Sequence, residues 1–383
     1  MKFLIDQNLP KATELLSTLP SYEGVELVFF ASRQPPLEHL RDCSVLLVRS
    51  ITQVNADLLQ RAPQLRFVGT ATIGTDHIDL AELEQRGIAF ASAPGCNAIA
   101  VGEYILSALL HVASQRQQIL AGKRAVIFGA GHTGREVCQR LVALGLEVRV
   151  LDPPLQRQGI AAPPGCQYGD RTDLAGADVI SLHVPLTQSG DDSTHHLVNS
   201  TLLDELKDDV ILLNASRGAV IDNAALLQWR KGRPDVALIL DVWEFEPNVD
   251  AELVRYCAIA TPHIAGHSME GKIRGTFQLY EEICRWLKVA RTSTLADVLP
   301  QEPLHSRSLQ GEIDQQKVAN WVTAVYSVHQ DDQEFRKFGL TAAGFDQLRK
   351  NYPLRRELSA LTIQVSAAKS NQLKALGFRT QAR

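Results

Sequence analysis

Residues 124–152, RAVIFGAGHTGREVCQRLVALGLEVRVLD, constrain the fold more than any other stretch. An apolar run, Ala125 to Phe128, has the length of a buried strand. Gly129, Gly131 and Gly134 follow in G-x-G-x-x-G spacing. A helical pattern then runs through Val137, Leu141 and Leu144 until Gly145 stops it, and a second apolar run, Leu146 to Leu151, ends in Asp152. In such a strand–turn–helix–strand unit the first glycine allows the tight turn. The second lets backbone approach a pyrophosphate, and the third lets helix and strand pack closely. The helix N-terminus offers free N–H groups and the positive end of its dipole. Thr133 falls in that first turn and joins the glycines as a cofactor-binding candidate. Asp152, 18 residues beyond Gly134, is placed to accept hydrogen bonds from a ribose diol and to repel a 2′-phosphate, which favours NAD.

A chain of 383 residues is too long for one core and implies two or three domains. The net charge of -4 gives no sign of a nucleic-acid or membrane partner. No apolar run reaches membrane-spanning length, and MKFLIDQNLP lacks the features of a signal peptide. Six scattered cysteines without a C-x-x-C suggest reduced thiols in a cytoplasmic protein and no metal site.

Residues 1–95 alternate strand-like runs (2–5, 25–30, 45–48, 66–69) with helical patterns (9–19, 37–41, 55–61, 79–86). A long helical pattern at 97–120 leads into a second alternating region. Its strands are expected at 125–128, 146–151, 178–182, 210–213, 236–240 and 258–260, with a loop at 153–165. Another helix is expected over 268–289. Residues 291–311 look like a linker, 312–330 and 340–350 look helical, and 360–365 strand-like. The expected fold class is α/β, with two doubly wound domains (a flavodoxin-like substrate domain, 1–96 with 268–290, and a Rossmann NAD-binding domain, 97–267) followed by an α+β domain, 291–383.

Open α/β sheets bind ligands beyond the carboxyl ends of their strands. Three successive strands end there in NASRGAVID, DVWEFEP and TPHIAGH, which bring Arg217, Asp241 with Glu246, and His263 to one rim. His263 can exchange a proton with a substrate hydroxyl near neutral pH. Glu246 can orient the imidazole, and Arg217 can grip a carboxylate and polarise the reacting oxygen. With a nicotinamide, that set suits hydride transfer at a carbon bearing a 2-hydroxyl. A plain ion-pair cluster on surface loops is the competing reading.

RAVIFGAGHTGREV, HVPLT, NASRGAVIDNAAL, DVWEFEP and TPHIAG together resemble the D-isomer-specific 2-hydroxyacid dehydrogenases over about residues 1–290. The resemblance implies Arg217, Glu246 and His263 as catalytic residues in an interdomain cleft. It also implies Val184, Ala215, Ser216, Arg217, Asp241 and Gly266 on the nicotinamide side. LLVRSITQVNADLL, FVGTATIGTDHID, TPHIAGHSMEGKIRGT and the tail GFDQLRKNYPLRREL resemble one branch of that family, whose substrate is a small phosphorylated 2-hydroxy acid. By that resemblance Ser50, Thr72 and His267 contact substrate, although His267 stands where the branch usually has tyrosine. The tail is implied to form a homodimer. Arg49, Lys272 and Arg274 remain equal candidates for the phosphate. Phosphoglycerate or hydroxypyruvate dehydrogenase stays open as an alternative, as does an NAD-sensing corepressor-like scaffold.

Overall fold

A computed structural model describes residues 1–19 and 24–382. The chain divides into two compact units, Met1–Asn97 with Ser268–Gln301, and Ala98–His267 with Glu302–Arg383.

In the first unit, strands β1 (Lys2–Asp6), β2 (Glu26–Phe30), β3 (Val45–Val48), β4 (Phe67–Thr70) and β5 (Ala89–Ala91) form one parallel sheet in the order β2-β1-β3-β4-β5. This is the flavodoxin-like order. The sheet is covered on both faces, which is why its strands read as continuous apolar runs. Phe3, Ile5, Val45, Leu47 and Phe67 face Ile273, Phe277, Tyr280 and Ile283 of the helix Met269–Leu287. Leu4, Leu46, Val48 and Val68 face Leu59 and Leu83 on the opposite side. Burial of each such side chain contributes roughly 1.5–3 kcal/mol. The returning helix begins at Ser268, whose hydroxyl accepts from Gly271 N, and ends where Lys288 turns left-handed. Strand β5 was not expected, because a three-residue Ala-Phe-Ala run carries no periodic signal.

The second unit holds a seven-stranded parallel sheet of β6 (Arg124–Phe128), β7 (Glu147–Leu151), β8 (Cys166–Tyr168), β9 (Val179–Leu182), β10 (Ile211–Asn214), β11 (Ala237–Leu240) and β12 (Cys257–Ala260). Its order is β12-β11-β10-β9-β6-β7-β8, with the switch point between β6 and β9. The extra strand is β8, a half-exposed Cys-Gln-Tyr segment with no apolar run to announce it. The expected loop 153–165 contains a short helix, Pro153–Arg157, because Asp152 caps it and a proline occupies its first position. The helix Ala98–Gln115 stops before 120, where Gln117 adopts a left-handed φ of 54°. It is the one helix among the described residues long and apolar enough to cross a membrane, yet 78% of it is buried inside the protein.

From Glu302 on, the chain groups with this second unit. A small parallel sheet, β13 (His305–Ser308), β14 (Leu361–Val365) and β15 (Arg379–Ala382), takes the order β13-β14-β15. Leu361, Ile363, Leu373 and Leu376 share a core with Ile105, Leu109 and Leu141. Phe335 and Phe345 share another with Trp243 and Leu253. The supposed linker therefore contains a strand, β13, which sequence patterning misses because all four of its residues are exposed. The expected helix 312–330 is two helices, Gln315–Val325 and Val328–Phe338, broken where Tyr326 becomes extended.

Candidate active site

The glycine motif sits at the end of β6, at the switch point of the large sheet. Gly129 has φ 88°, and a Cβ on it would lie 2.5 Å from His183 O. A Cβ on Gly134 would lie 1.9 Å from Gly129 O, so only glycine permits this turn-to-helix packing. A Cβ on Gly131 would meet nothing within 4 Å, which leaves that face open for a ligand. Gly131 is also the N-cap of the helix His132–Ala143 and supplies no capping side chain, so the first-turn amides, Thr133 among them, remain available to an anion. These features fit a dinucleotide pyrophosphate.

Asp152 is fixed by two backbone donors. Its Oδ2 accepts from Ala130 N at 2.7 Å and its Oδ1 from Leu155 N at 3.0 Å. The expected ribose acceptor thus also ties the glycine turn to the following helix. Val184 packs beside Gly129. Buried His183 donates or accepts through Nε2 with Ser181 Oγ at 2.8 Å, and burial pushes its pKa down to about 3, so the ring is neutral.

Beyond β10, Asn214 holds the arginine loop. Its Oδ1 accepts from Ser216 N at 3.0 Å and Ser216 Oγ at 2.8 Å, and its Nδ2 donates to Arg217 O at 3.0 Å. Ala215 is half-buried against the core. Arg217 donates from Nη1 to Ser216 O at 2.9 Å. Gly218 brings this loop onto the next one: a Cβ there would lie 2.0 Å from the carbonyl of Trp243. Asn223 and Glu244 then exchange hydrogen bonds, Asn223 N to Glu244 Oε2 at 3.1 Å and Glu244 N to Asn223 Oδ1 at 3.2 Å.

The carboxylate and histidine meet directly. His263 Nδ1 lies 2.8 Å from Glu246 Oε2, while Glu246 Oε1 accepts from Trp243 N at 2.8 Å. Burial alone would raise the Glu246 pKa. The adjoining imidazole, with the amide of Trp243, outweighs burial and brings it below the ordinary value. With Glu246 ionised, Nδ1 is the nitrogen that carries the hydrogen, and Nε2 is left as an acceptor. His263 has φ 58°, a left-handed conformation that costs a non-glycine residue of order 1 kcal/mol or more. Asp241, only 1% exposed, helps to impose it. Its carboxylate accepts from Thr261 Oγ1 at 2.6 Å, Ile264 N at 2.8 Å and Ala265 N at 2.9 Å, and its carbonyl accepts from His263 N at 2.7 Å. Gly266 and His267 complete the turn, with the His267 ring edge-on to Tyr352 at 5.5 Å.

Gly218, Asn214, Asn223 and Glu244 escaped the sequence reading, although all lie within the motifs it used. His195, His196 and Glu244 offer ligand atoms within 4.8 Å of one another. The His196 Nε2–Glu244 Oε1 hydrogen bond of 2.6 Å and the stacking of the His195 ring on His196 at 4.1 Å account for that proximity.

In the first unit, Ser50 is exposed just beyond β3. Thr72, beyond β4, has its hydroxyl 2.8 Å from that of Thr70 and donates to Gly74 O at 2.8 Å. The three candidate cations separate here. Arg274 Nε is engaged with Cys96 O at 2.8 Å. Lys272 has no ion pair among the described residues, and burial, then the charge of Arg49, lowers its pKa. Arg49 Nε lies 3.1 Å from buried Asp6 Oδ2 but makes no aligned hydrogen bond.

Residues 110–265 match the family model for the D-isomer specific 2-hydroxyacid dehydrogenase, NAD binding domain. A second model, a domain of unknown function (DUF3410), matches 298–377. D-lactate dehydrogenase from Aquifex aeolicus, solved with NAD and lactic acid, shares the fold with a TM-score of 0.58 at 23% identity, covering 75% of this chain and 96% of that one. NAD+-bound 3-phosphoglycerate dehydrogenase from Entamoeba histolytica gives 0.63 at 22% identity, covering 79% and 99%. The matched NAD-binding domain, together with full-length relatives, makes the chain an NAD-dependent D-isomer-specific 2-hydroxyacid dehydrogenase. Within that class the chain belongs to the erythronate-4-phosphate dehydrogenase family. It is 45% identical to the erythronate-4-phosphate dehydrogenase of Psychromonas ingrahamii over 99% of this chain and 97% of the relative. It is 43% identical to that of Aeromonas salmonicida over 100% of both.

Proposed function

We propose that the protein oxidises 4-phospho-D-erythronate at C2 to 2-oxo-3-hydroxy-4-phosphobutanoate, a step of vitamin B6 biosynthesis, in the cytoplasm. The Glu246–His263 pair, with Arg217 on the neighbouring loop, carries this reading. Bound NAD supplies the hydride acceptor. His263 Nε2 takes the C2 hydroxyl proton, Glu246 fixes the ring and balances the imidazolium that forms, and Arg217 holds the carboxylate and the developing carbonyl oxygen. The glycine turn and Asp152 hold the adenosine half of the dinucleotide, with Val184, Ala215, Ser216, Asp241 and Gly266 towards the nicotinamide. Ser50, Thr72 and His267 contact substrate. Lys272 and Arg49, two cations that their surroundings leave incompletely matched, favour a phosphorylated acid.

The test is purified protein with NAD and a panel of 2-hydroxy acids, followed by absorbance of reduced nicotinamide. Turnover is expected to be fastest with 4-phosphoerythronate. Faster turnover of 3-phosphoglycerate would overturn the substrate, and no turnover of any acid would overturn the enzyme. A homodimer formed through the C-terminal segment is part of the same proposal. Leu304, Phe338 and Leu354 are exposed there, so sedimentation should show a dimer that Leu354→Asp weakens.

A further inference from the structure

The segment after Glu302, which a family model of unknown function matches, touches the catalytic strand and loop on both sides of His263. Strand β12 is the edge of the large sheet, so one side of its backbone has no neighbouring strand. Asp332, 4% exposed on the helix Val328–Phe338, takes the place of that strand: its Oδ1 accepts from Ala260 N at 2.7 Å. Arg336, one turn later, holds both Asp332 oxygens through Nε at 2.9 Å. Its Nη1 and Nη2 donate to Val254 O and Cys257 O, both at 2.8 Å. On the far side of His263, buried Arg355 donates from Nη1 to Ala265 O at 3.0 Å and from Nη2 to Ala100 O at 2.6 Å. Its guanidinium lies 3.7 Å over the Tyr326 ring. Tyr326 and Tyr352 both donate to Asp331, at 2.9 and 2.7 Å, which fixes the platform.

The residues three before and two after His263 are thus anchored to the C-terminal segment, while Asp241 anchors the loop from the sheet side. A left-handed non-glycine residue persists only where its surroundings determine it from several directions. We propose that this C-terminal segment is a brace for the catalytic loop, with Asp332 and Arg355 as positioning residues that keep His263 aligned with Glu246. The proposal rests on His263 being the proton acceptor described above. It goes beyond that reading by giving the C-terminal segment a part in turnover that is independent of any dimer contact.

The experiment compares Asp332→Ala, Asp332→Asn and Arg355→Lys with the wild type in the full-length chain. Asparagine keeps an oxygen for Ala260 N but drops the charge facing Arg336, and lysine keeps a cation but lacks the planar fork that reaches two carbonyls from separate nitrogens. Each is measured for kcat and KM with 4-phosphoerythronate, for NADH affinity by fluorescence, and for amide exchange over residues 257–267. The expected result is a kcat at least tenfold lower in Asp332→Ala and Arg355→Lys, partly restored in Asp332→Asn. NADH affinity should stay within twofold, and exchange should rise at 257–267 alone. If Asp332→Ala does not fold, the other two variants carry the comparison. Wild-type kcat in variants whose loop exchanges faster would overturn the brace. So would a proportional loss of kcat, NADH affinity and melting temperature, since that marks general destabilisation. Absence of wild-type turnover would instead sink the substrate reading, while the exchange data would still decide whether the segment holds the loop.

Discussion

Gly218→Ala should cost most of the turnover while leaving the cofactor's adenosine half undisturbed. The added methyl would lie 2.0 Å from the carbonyl carbon and oxygen of Trp243 and 2.4 Å from Glu244 N. All three are backbone atoms with no flexible end to swing aside. Ordinary contact begins near 3.4 Å, so the two loops must part by roughly 1 Å or more. One loop carries Arg217 and the other carries Trp243, whose amide holds Glu246. The displacement therefore falls between the group proposed to grip substrate and the pair proposed to move the proton. A misplacement of about 1 Å costs on the order of 100-fold in rate, equivalent to about 2.7 kcal/mol of transition-state stabilisation. Overpacking itself costs roughly 1–3 kcal/mol of stability. The assay is steady-state turnover with NAD and 4-phosphoerythronate, alongside thermal melting and NADH titration. A folded variant that keeps kcat within about threefold of wild type would refute the claim that Gly218 sets the spacing of the catalytic loops.

Three further outcomes are expected. His263→Ala should lower kcat by roughly 100- to 10,000-fold with NAD affinity nearly unchanged, and equal loss of both would make His263 structural. Lys272→Gln should raise KM for the phosphorylated acid by about 10- to 100-fold, with little change for an unphosphorylated 2-hydroxy acid; equal effects on both would remove Lys272 from the phosphate site. The folded-state pKa of Glu246 lies below its unfolded value, so its stabilising contribution is present above the unfolded pKa, about 4.3, and is lost as pH falls through the folded one. Urea unfolding between about pH 6 and pH 3 should therefore show wild type losing its advantage over Glu246→Gln. A constant difference between the two would contradict the assignment.

The glycine motif and the three strand ends were legible because each couples an apolar run to residues that must follow it for steric or chemical reasons. Gly134 is such a residue, since no side chain fits against Gly129 O. What stayed hidden depends on contacts between distant segments. Nothing local to Asp332 says that it replaces a missing strand beside Ala260, 72 residues earlier. Strand β13 has no buried face and is defined only by its ladder to β14. Gly218 looks like any loop glycine until Trp243 is seen against it. The cations behaved likewise, because spacing could not separate Arg274, engaged with Cys96 O, from Lys272, which has no acidic partner among the described residues.

The double attachment of Asp152 has a consequence for coenzyme choice. The carboxylate proposed to select against a 2′-phosphate also binds Ala130 N inside the glycine turn and Leu155 N at the start of the next helix. Replacing it with a neutral or basic residue to admit NADP would release two backbone donors and loosen the turn proposed to seat the pyrophosphate, weakening both dinucleotides together. On that proposal, preference for NAD is built into the scaffold, and a switch would need a second change that satisfies those amides before the first could be tolerated.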